Sequence, residues 1–167
     1  MLVGLLSDTH DRLNAMIAGM NALQQAAAEI FIHCGDVGSE QIFDQLAGTN
    51  SIFVWGNNDW DRTDLARYAQ ALSIRNGDTF AEVPLDGKLA AVTHGDDAKI
   101  IRRVLEGQKH DYLFLGHSHV RADHHVGKVR VINPGALHRA NPKSVALLDT
   151  ATDIVRFITV IPSGSGT

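Results

Sequence analysis

The sequence predicts an α/β fold in which two mixed β-sheets pack face to face as a sandwich, with helices outside, in four αββα layers. Three observations carry this. Residues 1–60 alternate short apolar runs with helix-period stripes, the pattern of parallel β-α-β units. Residues 80–160 contain three hairpin patterns instead. No repeat or linker separates the halves, so one domain over residues 1–161 is expected to hold both.

The elements follow in order. Residues 2–6 read as a fully buried strand. Leu13, Met16, Ile17, Met20 and Leu23 then keep helical spacing and mark a helix packed on the core. "EIFIHCGD" is the second strand, ending at Gly35-Asp36. A short helix is expected from Ser39, its N-cap, to Ala47, with Gly48 as a stop. "SIFVWGNND" is the third strand, ending at Gly56-Asn57, and a further helix starts near Asp61. "FAEVPLDGKLAAVTHG" reads as a hairpin turning at Asp86-Gly87. A helix over residues 97–106 follows, with Asp96 as cap, and then "DYLFLGHSH", a short buried strand running into a loop. "RADHHVGKVRVINPG" and "SVALLDTATDIVRFITV" read as hairpins turning near Gly127 and Thr150. Residues 162–167 are expected to form a disordered tail.

Composition narrows the function. The 167 residues carry a net charge of −4, which gives no bulk attraction to nucleic acid. Lys and Arg are denser between Lys99 and Lys143 but form no tight block, and they read as a solvated face. Cys34 is the only cysteine and sits in an apolar run, as a buried small hydrophobe in a reducing compartment. No apolar run reaches the roughly 20 residues that span a bilayer. A cytoplasmic protein is therefore expected. The unusual number is nine histidines.

Their positions matter. Asp8 and His10, Asp36, Asn57, His94, and the pair His117 and His119 each follow the end of an expected strand. In α/β sheets, ligands bind outside those carboxyl ends. Gly35, Gly56, Gly95 and Gly116 stand beside them, where the backbone has to turn. The seven side chains offer oxygen and nitrogen and no sulfur, a donor set for manganese, iron, zinc or nickel rather than a closed structural zinc site. Seven donors exceed the need of one ion with an open position. Two divalent ions sharing a carboxylate, about 3.5–4 Å apart, fit better.

The order D-x-H, GD, GN-x-D, HG, GHxH resembles the signature of the calcineurin-like metallophosphoesterases, and the chain is similar to their small single-domain microbial phosphodiesterase branch over residues 2–150. "INPG" at residues 132–135 is similar too, whereas "ALHRAN" after it departs from that branch. The resemblance implies the metallophosphoesterase sandwich and two metal ions, manganese first. One ion would take Asp8, His10 and His119, the other Asn57, His94 and His117, with Asp36 bridging. It also implies a metal-bridging hydroxide that attacks a phosphodiester in line. Most of the superfamily has histidine after the metal-binding asparagine, as a general acid. Here that residue is Asn58, which can hydrogen-bond a phosphate or leaving oxygen but cannot protonate it.

Asn58 is therefore the first catalytic candidate. Asp59 is the second, either orienting Asn58 or capping the next helix. His33 reads as a hydrogen-bonded core histidine, and His138 as a residue of the divergent loop near the cleft; either is a stand-in for the missing acid. His110 reads as a loop residue, and His124 and His125 as surface residues. Asp11 and Arg12 begin the first helix, with Asp11 favouring its dipole and Arg12 within reach of a substrate phosphate. The expected partner is a small phosphate-ester substrate, with no membrane, no clear nucleic-acid site, and room for a homo-oligomer. A phosphomonoesterase is the alternative. A non-catalytic scaffold of the same fold is another, but such scaffolds tend to lose metal ligands, and all are present here.

Overall fold

Alternating side chains sort the strands into layers. In β1 (Leu2–Leu6), Val3 and Leu5 face one side, while Leu6 faces the other, with Gly4 against Leu23 and Ala28. The same alternation runs through β2 (Ile30–His33) and β3 (Ser51–Phe53). These coordinates are a computed structural model that describes residues 1–162; most of the expected disordered tail, residues 163–167, lies outside the described residues.

The first sheet runs β11-β10-β1-β2-β3-β4, with β4 at Arg75–Asn76, β10 at Ser144–Asp149 and β11 at Ile154–Thr159. The strands β1 to β4 are parallel, and β10 and β11 add antiparallel. The second sheet runs β5-β6-β7-β9-β8. Here β5 (Phe80–Leu85) and β6 (Lys88–Thr93) form one hairpin, and β8 (Ala122–Val126) and β9 (Val129–Asn133) form another. Between them β7 (Tyr112–Phe114) is parallel to both β6 and β9. Both sheets are mixed, as expected.

Val3, Leu5, Ile32, Val54, Val92, Phe114, Ile132 and Leu148 form the core between the sheets. On the far side of the first sheet lie α1 (Leu13–Gln25), α2 (Glu40–Asp44) and α3 (Arg62–Ala71). Phe43 of α2 meets Phe53 and Trp55 edge-on at centroid distances of 4.7 and 6.3 Å. Helix α4 (Ala98–Gly107) covers the second sheet through Val104, Ile101 and Leu105 on Leu113, Val129 and Val131. The four expected layers are present.

Several expectations shift locally. Helix α1 begins at Leu13, so Asp11 and Arg12 precede it. Its buried face is Ala15, Met16, Gly19, Met20 and Leu23, and Ile17 is exposed. A Cβ at Gly19 would stand 3.1 Å from Val145, so a small residue lets the helix approach the sheet. Helix α2 ends at Asp44, three residues before Ala47, and Ser39 caps it without a side-chain hydrogen bond. The cap of α4 is Asp97, which accepts from the Lys99 amide, rather than Asp96. His110 is buried against Glu82, 2.8 Å from its Oε1.

Candidate metal centre

Parallel pairing puts the carboxyl ends of β1, β2 and β3 on one edge of the first sheet, and those of β6 and β7 on one edge of the second. The two edges meet. His119 Nε2, from the loop after β7, lies 3.1 Å from Asp8 Oδ1, from the loop after β1. Asp36 Oδ2, after β2, lies 3.4 Å from His10 Nε2 and 3.3 Å from His94 Nε2. The ring of His117 is 5.1 Å from that of His94, and its backbone N–H donates to Asp8 Oδ2 at 3.1 Å.

Two donor groups emerge, Asp8 with His10 and His119, and Asp8 with Asp36 and His94; within each, the ligand atoms lie within 4.8 Å of one another. Asp8, Asp36 and His94 are buried. Asp8 Oδ1, His10 Nε2 and His94 Nε2 have no hydrogen-bond partner among the described residues. Buried polar atoms without partners cost about 1–3 kcal/mol each, and Asp8 Oδ1 lies 4.0 Å from both histidine nitrogens, so the three fit donors to bound cations. The residues therefore fit divalent metal ions, by donor type and by placement.

The second layer orients these donors. Nδ1 of His94 donates to the Cys34 carbonyl at 2.8 Å, which leaves Nε2 facing Asp36 Oδ2. Burial would lower the His94 pKa, but the Asp36 carboxylate 3.3 Å away and the charge of Asp8 outweigh it and push it up to about 9. Burial pushes the Asp8 carboxyl up. Asp36 resists its own burial through the nearby His94 ring and the hydrogen bonds from Asn58, which hold it below the usual carboxylate range. Burial also drives the Cys34 thiol far up, so it is no nucleophile.

The backbone here is strained. Asp8, His10, Asp36, His117 and His119 all have φ between 44° and 65°. Left-handed conformation costs a non-glycine residue about 1–2 kcal/mol, and such strain gathers at functional sites. Two glycines serve clearance rather than turning. A Cβ at Gly56 would fall 2.1 Å from Asp36 Oδ1, and one at Gly116 would fall 1.9 Å from Ser7 Oγ and 2.8 Å from Asp8 Oδ2.

The remaining candidates separate. Asn58 lines a cleft of about 350 Å³ with His10, Asp36, His117, His119, His138 and Arg139. Its backbone N–H donates to Asp36 Oδ1 and its Nδ2 to Oδ2, both at 2.8 Å. Asn57 is exposed beside it and makes no side-chain hydrogen bond among the described residues. Asp59 neither orients Asn58 nor caps α3. Its buried carboxylate accepts from the amides of Asp36, Val37, Gly38 and Gly56 at 2.7–3.2 Å, tying together the loops after β2 and β3. His33 is a buried core histidine. Its Nδ1 accepts from the Gly35 amide, so Nε2 carries the proton toward Thr9 Oγ1, 2.6 Å away. Burial, helped by the charge of His94, lowers its pKa to about 3. His138 stands at the cleft, with its ring 4.9 Å from that of His10 and its Nδ1 accepting from Arg12 Nε at 3.1 Å. Burial, then His10 and Arg12, lowers its pKa to about 4. Arg139 is the cleft residue that sequence reasoning missed; its only signal is its place in the divergent "ALHRAN" loop.

Comparison with known proteins points to one family. Residues 1–153 match the family described as the calcineurin-like phosphoesterase superfamily domain. A phosphodiesterase of Methanocaldococcus jannaschii is 30% identical over 155 residues, covering 90% of this chain and 93% of the relative. The solved structure of an archaeal phosphodiesterase superposes with a TM-score of 0.88 at 29% identity, over 96% of this chain and all (100%) of that one. The phosphoesterase YfcE of E. coli superposes with a TM-score of 0.69 at 19% identity, over 96% and 100% of the two chains, a likeness of fold alone.

Proposed function

This chain belongs to the calcineurin-like phosphoesterase superfamily, and on that premise we propose that it is a phosphodiesterase working with two divalent ions, manganese first. The carrying observation is Asp36 Oδ2, buried within 3.4 Å of donors on both sides, His10 and His94. A carboxylate so placed suits a bridge. Asp8, His10 and His119 would hold one ion, and Asn57, His94 and His117 the other. The ions, when bound, supply an activated water and neutralise charge on the phosphoryl oxygens.

The chain's own groups do the rest. The reaction joins a water oxygen to phosphorus, breaks one P–O ester bond, and needs a proton on the leaving oxygen. Asn58 faces the cleft and, with one side-chain N–H on Asp36, offers the other to that oxygen or to a phosphoryl oxygen, though it has no proton to give up near pH 7. His138 offers an N–H as well. Arg12 occupies its Nδ1, so its Nε2 carries the proton. Among the described residues, no helix is long and apolar enough to cross a membrane. A cytoplasmic setting suits the lone buried cysteine, Cys34.

Substitution of a ligand tests the reading. With manganese added, Asp36→Asn and His119→Ala should each lower bis(p-nitrophenyl) phosphate hydrolysis by more than about 100-fold, since changes one shell further out already cost 10–100-fold. Full activity in either variant would contradict it. Dominant turnover of p-nitrophenyl phosphate by the unaltered protein would make it a monoesterase instead.

A further inference from the structure

A second depression opens beside the metal cleft and shares a wall with it. It encloses about 610 Å³, and His138 and Arg139 line both cavities. That volume is typical of a small-molecule site. Arg12, Arg139 and Lys143 line it, three cations on one concave surface of a chain whose net charge is −4. None of the three is ion-paired among the described residues. Arg12 spends only Nε on His138, which leaves the end of its guanidinium fork open. Asp11 is the one acid in the lining, and its carboxylate is drawn toward Gly38, where a Cβ would meet Oδ1 at 2.5 Å. The first turn of α1 and Pro162 complete the wall and bring no acidic side chain.

A solvated basic face has no need of concavity, nor of a wall shared with the cleft. Cations gathered in a concave wall repel one another and focus a positive potential that a bound anion relieves. We propose that this groove is an anion subsite that takes a second phosphate, carried on one arm of the diester whose reacting phosphorus lies in the metal cleft. The inference rests on the phosphodiesterase reading for the position of the reacting group. It narrows the substrate class to diesters with a further phosphoryl group, and it assigns Arg12, Arg139 and Lys143 as specificity residues. Diesters with two uncharged arms lack the anchor.

Two measurements test it. The first needs no turnover. The full chain, stripped of divalent metal, is titrated calorimetrically with inorganic pyrophosphate. The wild type should bind, and the Arg139→Gln/Lys143→Gln variant should bind about tenfold more weakly. Equal affinities, or no binding by the wild type, would overturn the subsite. The second compares kcat/KM for thymidine 5′-(p-nitrophenyl phosphate) with and without a 3′-phosphate, manganese present. The phosphate should raise kcat/KM through a lower KM, and Lys143→Glu should shrink that advantage about tenfold. An advantage unchanged in Lys143→Glu, or absent from the wild type, would overturn it. A methyl-capped 3′-phosphate separates the sources: a retained advantage marks an internal chain phosphate, and a lost one marks a terminal phosphate. Failure to hydrolyse any diester would sink the phosphodiesterase reading, while the pyrophosphate titration would still decide the groove.

Discussion

Asn58 grips both oxygens of Asp36 from a single residue, one through its backbone N–H and one through its side chain. It stands where most relatives by resemblance place a general acid. Asn58→His should therefore raise turnover of diesters with poor leaving groups more than of p-nitrophenyl diesters, because general acid catalysis is worth about 10²–10⁴-fold where the leaving oxygen needs a proton. Steady-state rates on an alkyl and an aryl diester decide this; equal or lower rates on both would show that position 58 does not face the leaving group. At this scale the candidate donors were legible in the sequence, since each follows a strand end. The role of Asp59 was not. It sits next to Asn58 in the chain yet turns inward, and only the folded loops show the four amides it accepts from. His138 was legible only as a residue of a divergent loop. Its bond to Arg12 spans 126 residues, a separation that no local pattern reports.

The loops are the elements on which the centre depends. Asp59 ties the connection after β2 to the one after β3. Asp59→Ala leaves four amides without their acceptor, and it should destabilise the fold by about 3 kcal/mol or more, since hydrogen bonds to charged groups contribute about 1.5–3 kcal/mol each. Urea denaturation measures this, and a loss under about 1 kcal/mol would contradict the buried carboxylate's structural role. Gly116→Ala should destabilise by about 1–3 kcal/mol through overpacking against Ser7 and Asp8. It should also weaken manganese binding, which titration with the metal would show; unchanged stability and binding would mean that the loop yields. Hairpins were the most legible elements. Asp86-Gly87 adopts φ of 54° and 81°, the left-handed pair that a two-residue turn requires. Helix ends were less so. Period alone placed Ile17 on the buried stripe, but the small residues Ala15 and Gly19 let α1 approach the sheet on a slightly rotated face. Strand β4 has two exposed residues, too few for any pattern.

At the scale of the whole molecule, the sandwich brings two sheet edges together, and the candidate donors come from both. Asp8, His10, Asp36 and Asn57 belong to the first sheet, and His94, His117 and His119 to the second. The α/β class followed from the change between parallel units and hairpins. The convergence of the edges did not, because it depends on how two sheets stack rather than on any stretch of chain. The central claim is a two-ion centre bridged by Asp36. Anomalous diffraction at the manganese edge, on crystals of the full chain grown with manganese, tests it most directly. Two peaks per chain are expected, about 3.5–4 Å apart, on either side of the Asp36 carboxylate. A single peak, or none within reach of Asp36, would contradict the account.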